Sequence, residues 1–89
     1  MNTAEQIALV CDEVKSLLLE KNRKYGDSAL SPCRIFSAAE PEEQLRVRID
    51  DKLSRIASAQ CDEDEDVIVD LIGYLVLLLI AQRAAHTAY

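Results

Sequence analysis

The 89 residues include two glycines, two prolines and no tryptophan. That bounds the chain to one domain with a small core and excludes the turn-rich composition of a sandwich or barrel. A net charge of −6 excludes a general nucleic-acid binder, which would present a basic face.

The first helix is predicted over about residues 4–24. Thr3 and Gln6 have the spacing of a capping box, and Ile7, Val10, Val14, Leu17 and Leu18 recur at three- and four-residue steps. Tyr25-Gly26-Asp27-Ser28 is turn chemistry, and Gly26 suits a left-handed cap. Lys21, Arg23 and Lys24 in the last turn complement the helix dipole. The opening residues are amphipathic and acidic rather than basic then apolar, so no signal peptide is read there. Cys11, Cys33 and Cys61 form no CxxC pair, which argues against structural zinc and for reduced thiols in the cytoplasm.

Residues 25–40 form one long connection, with a break at Ser31-Pro32 and Phe36 expected to dip into the core. Connections of this length in so small a domain often carry function. The second helix is predicted over about 41–59. Pro41 suits its first position, Glu42 and Glu43 suit its first turn, and Leu45, Ile49, Leu53 and Ile56 form its core face.

A third helix is predicted over about 63–85, opening on a capping box of Asp62 and Glu65. It is built around VIVDLIGYLVLLLIA, residues 67–81, where only Asp70 and Gly73 are not apolar. Ile68, Leu71, Ile72, Leu75, Leu78 and Leu79 make one face. Val67, Val69, Val76, Leu77 and Ile80 cover much of the rest. The stretch is short for a membrane span and holds a carboxylate. It reads instead as a central helix buried by its own chain on one side and by another subunit on the other, with Leu77 or Ile80 at that interface. The expectation is therefore an all-α, single-domain (1–89), antiparallel three-helix bundle that oligomerises through its third helix, with no membrane and no nucleic-acid partner.

An ionised Asp70 in apolar surroundings demands a partner. Two arrangements provide one. In the first, Asp70 pairs with Lys52 or Arg55 and fixes the register of two helices. In the second, Asp51, Asp66 and Asp70 converge from adjacent helices on Mg²⁺, with Glu65 and Asp50 close by. A separate cluster of Lys21, Asn22, Lys24, Tyr25 and Arg34 combines cations, an amide and a ring, which suits phosphates and a stacked base.

Three segments carry a resemblance: Glu20-Lys-Asn-Arg-Lys-Tyr-Gly-Asp27, Arg48-Ile-Asp-Asp-Lys-Leu-Ser-Arg55 and Glu65-Asp-Val-Ile-Val-Asp-Leu-Ile-Gly-Tyr74. Over roughly residues 15–80 the chain resembles small phage and bacterial proteins of the nucleotide-modification-associated type, which are similar to MazG-like all-α nucleoside triphosphate pyrophosphatases. The resemblance implies a dimeric or higher assembly that binds a nucleotide between helices. MazG-like enzymes hold Mg²⁺ with an E-E-x-x-E motif and an E-x-x-D motif. Asp70 matches the final acid, but Val67 stands three residues before it, and Arg55 stands where a carboxylate is expected.

Three functional readings follow. The first is a phage-type, anti-defence protein that sequesters a nucleotide, cyclic-nucleotide or ADP-ribose-type signal between subunits without turnover, with Lys21, Asn22, Lys24, Tyr25, Arg34 and Arg48 on the ligand. The second is a Mg²⁺-dependent pyrophosphatase with Asp51, Asp66 and Asp70 on the metal. The third is a structural assembly module.

Overall fold

The computed structural model describes residues 1–31, 39–59 and 66–87. These form three helices: α1 (Thr3–Tyr25), α2 (Pro41–Ser58) and α3 (Val67–Thr87). The fold is an all-α bundle, with no strand among the described residues. Phe36, Arg34, Cys33, Cys61 and the acidic run from Asp62 to Glu65 lie outside them.

Each helix boundary has a local chemical cause. Helix α1 is capped by Asn2, whose Oδ1 accepts the Glu5 N–H at 2.8 Å, while the Gln6 side chain donates to the Met1 carbonyl at 3.1 Å. The cap therefore lies one residue before the expected Thr3, because the Asn2 amide oxygen already satisfies an otherwise orphaned helix donor. At the other end Gly26 adopts the left-handed conformation (φ 63°, ψ 42°) and donates its N–H to the Asn22 carbonyl. Asp27 follows with φ 63°, a region that aspartate tolerates better than most residues. Pro41 opens α2, as its missing N–H permits. The Asp66 carboxylate caps α3 by accepting the Val69 N–H at 3.1 Å. Helix α3 thus starts at Val67, later than the expected residue 63.

Helix α3 packs against both of the others, more extensively against α2 than against α1. Gln82 near the end of α3 donates to Glu42 at the start of α2 at 3.5 Å, while Lys52 and Asp70 meet at 3.0 Å. That pairing makes α2 and α3 antiparallel. Leu18 sits against Gly73 and Lys21 against Asp70, so α1 runs antiparallel to α3 as well.

The core is small. Among the described residues Leu45 (1% exposed), Val67 (7%) and Val14 (9%) are the buried hydrophobic side chains. The expected core face of α2 is only partly covered: Ile49 is half-buried, whereas Leu53 and Ile56 are exposed. The expected face of α3 is divided too. Leu71 and Leu78 are half-buried, while Ile68 (68% exposed), Leu75 and Leu79 face outward.

By length and composition, Val67–His86 reaches what a membrane span requires, with a mean hydropathy of 2.0 over its most apolar window. The span takes in residues 82–86 beyond the fifteen-residue apolar stretch. Its lateral bonds to Lys52, Lys21 and Glu42 tie it to the amphipathic helices beside it.

Candidate functional site

Where α1 and α2 diverge over α3, the gap forms a cleft of about 380 Å³ lined from all three helices. The last turns of α1 supply Lys21, Asn22 and Tyr25, the capping turn supplies Asp27 and Ser28, α2 supplies Arg48, and α3 supplies Asp70 and Tyr74. Leu18, Gly73 and Leu77 make its apolar wall. The volume lies within the roughly 300–1,000 Å³ typical of small-molecule sites. Gly73 lets the helices approach: a Cβ there would come within 2.8 Å of Leu18 Cδ2.

Asp70 is the electrostatic hinge of the cleft. Its Oδ2 pairs with Lys52 Nζ at 3.0 Å and its Oδ1 with Lys21 Nζ at 3.5 Å. Lys52 is mostly buried and Lys21 is about half exposed. The shorter, less exposed pair is the stronger of the two, since solvent screens an exposed pair. This is the helix-register pairing anticipated for Asp70, with Lys52 as the partner on α2. Lys21 is the second cation, and spacing along one helix gave no sign of it.

The aromatic groups also carry cations. Lys24 Nζ lies 5.4 Å from the Tyr25 ring centroid, and Arg48 Cζ lies 6.0 Å from that of Tyr74, the outer range of cation–π attraction. Arg23 is engaged elsewhere, in an ion pair with Glu20. Its guanidinium holds the Glu20 carboxyl below the usual carboxylate range, and Glu20 raises Arg23 in turn. Lys21 and Arg48 line the cleft, the first in its long contact with Asp70 and the second over the Tyr74 ring.

Of the residues expected on a ligand, the cleft gathers Lys21, Asn22, Tyr25 and Arg48. Lys24 stands beside Tyr25 but does not line the cleft, and Arg34 lies outside the described residues. Of the residues expected on a metal, Asp70 lines the cleft between its lysines, Asp66 caps α3, and Asp51 is exposed on α2. Among the described residues no three His, Cys, Asp or Glu side chains are grouped as a metal centre requires. Asp27, Ser28 and Tyr74 line the cleft without having been expected there, and Tyr74 is the one with a further sequence signal. Its signal was its place four residues after Asp70, one turn along the same face.

No family model, no curated protein and no solved structure matches the chain.

Proposed function

We propose that the protein binds a nucleotide in the cleft between its three helices, as the resemblance implies, and holds it without turnover. The observation that carries this reading is the convergence of Lys21, Asn22 and Tyr25 of α1 with Arg48 of α2 and Tyr74 of α3 around one cavity. Two cations suit a phosphate or phosphodiester through charge-assisted bonds. Two tyrosines offer stacking faces for a base, which is worth roughly 1–3 kcal/mol per base. Asn22, Ser28 and Asp27 add the directional donors and acceptors that orient a ligand. The pyrophosphatase alternative draws less support: Asp70 is already paired with Lys52 at 3.0 Å, and Asp66 is used as a helix cap.

Calorimetry with cyclic AMP, ADP-ribose and ATP as probes tests the reading. At least one should bind, and Lys21→Ala and Tyr25→Ala should each weaken it at least tenfold, since a charge-assisted contact contributes roughly 1.5–3 kcal/mol. The bound ligand should be recovered intact with Mg²⁺ present. Mg²⁺-dependent release of pyrophosphate would favour the enzyme instead. Failure of all three probes to bind, or variants that bind like wild type, would remove the cleft as the site.

A further inference from the structure

A second opening, an apolar groove of about 520 Å³ between α1 and α3, has only Lys15 and Asp27 as charged lining residues. The cleft is different. Among the described residues it is lined by two cations, Lys21 and Arg48, and by two carboxylates, Asp27 and Asp70. The cations serve to hold a phosphate. Two carboxylates bordering the same volume are a feature that a plain phosphate pocket does not need.

The two carboxylates stand differently toward the cations. Asp70 is paired with Lys52 at 3.0 Å, and Lys52 is only 14% exposed, so that pair persists when Lys21 turns away. The Lys21 contact is longer, 3.5 Å, and half exposed, so it yields to a ligand at little cost. Asp27 forms no ion pair among the described residues. It is carried on a hydrogen-bonded turn, its carbonyl accepting the Leu30 N–H at 3.2 Å and the Ser31 N–H at 2.9 Å.

With Lys52 counted beside Asp70, three cations meet two carboxylates, which leaves a single positive charge for a ligand. The helix termini do not add to it. Helix α1 meets the cleft at its C-terminal end, the negative end of the helix dipole. The N-terminal turn of α3 reaches the cleft at Val69 and Asp70, but their N–H groups are already bonded to the Asp66 side chain and carbonyl.

We infer that the cleft selects nucleotides by charge, an inference that rests on the nucleotide reading of the same site. It takes a nucleotide whose phosphate is a singly charged diester, and Asp27 is the specificity-determining residue that disfavours terminal phosphates and polyphosphates. Lys21 and Arg48 suffice for one phosphodiester. Each further negative charge meets Asp27 and Asp70 with no cation added, and the repulsion grows with the charge of the ligand.

Calorimetry with cyclic AMP, AMP, ADP and ATP tests the inference, because the base is constant along the series while the charge rises. Low ionic strength keeps the charge effects unscreened, and each titration is run with Mg²⁺ and with EDTA. Affinity should fall along the series, with ATP roughly tenfold or more weaker than cyclic AMP in both conditions. Asp27→Asn removes the charge while keeping the side-chain size and its tolerance of the left-handed backbone. It should tighten ATP about fivefold and cyclic AMP by less than about twofold, since the repulsion scales with ligand charge. ATP that binds wild type as tightly as cyclic AMP overturns the selectivity and leaves the nucleotide site standing. So does an Asp27→Asn variant that keeps the wild-type preference. If Mg²⁺ alone brings ATP level with cyclic AMP, the carboxylates act as metal ligands and not as a charge filter, which also overturns it. Failure of every probe to bind removes the nucleotide reading itself, and the selectivity with it.

Discussion

The two seams of α3 are unlike. Against α2 the helix is tied near both ends, by Lys52–Asp70 and Gln82–Glu42, and between them Leu45 is almost wholly excluded from water. Against α1 it is held at the close approach of Leu18 to Gly73 and by a longer, half-exposed ion pair from Lys21. The same apolar helix thus has one seam closed around Leu45 within the chain and one left open on two sides. One side is a polar cleft and the other an apolar groove. Stability should reside mainly in the first seam, and binding in the second.

The largest expected effect comes from Leu45→Ala. Truncating a fully buried leucine costs about 2–5 kcal/mol, which in a domain of this size should lower the melting temperature by more than ten degrees. Val10→Ala, on the open seam of the single chain, should cost far less under conditions where the chain is dilute. Equal losses measured by thermal denaturation would erase the contrast between the seams.

An intermediate effect is expected at Asp70, which joins the two seams. Asp70→Asn removes the charge from both lysine contacts, and a charge-assisted bond is worth about 1.5–3 kcal/mol. This lies below the roughly 3–5 kcal/mol of a fully buried pair, because Asp70 and Lys21 retain solvent contact. Lys21→Ala should change stability least, by about 0–1 kcal/mol as for other exposed pairs. Urea denaturation of the two variants should rank them in that order. A Lys21→Ala loss as large as that of Asp70→Asn would make Lys21 a structural residue rather than a ligand contact.

Much of this contrast was legible in the sequence, and the reason some was not is geometric. Capping chemistry is local, so Gly26 and Pro41 marked their helix ends correctly, whereas α3 is capped by Asp66 and not by the expected Asp62. The all-round apolar character of residues 67–81 identified α3 as the helix the others pack on. Lys21, Asn22 and Tyr25 could be grouped because they are neighbours in one turn. Tyr74 and the Lys21–Asp70 contact depend on which face of α3 meets which helix, and a segment apolar on all sides has no periodicity to reveal that. The openness of α1 was hidden for a related reason. An amphipathic stripe shows that a face wants cover, but not whether the cover comes from the same chain.

On the proposed reading, ligand recognition belongs to the open α1–α3 seam, with Arg48 reaching it from α2, while the α2–α3 seam serves as its support. Amide chemical-shift mapping of isotope-labelled wild type, titrated with cyclic AMP, ADP-ribose and ATP, tests it most directly. Saturable shifts are expected at Lys21, Asn22, Tyr25 and Ser28 of the α1 end, at Arg48 of α2 and at Asp70 and Tyr74 of α3, with Leu53 and Ile56 toward the end of α2 nearly unmoved. Shifts confined to the outer face of α2, or none with any of the three nucleotides, would contradict it.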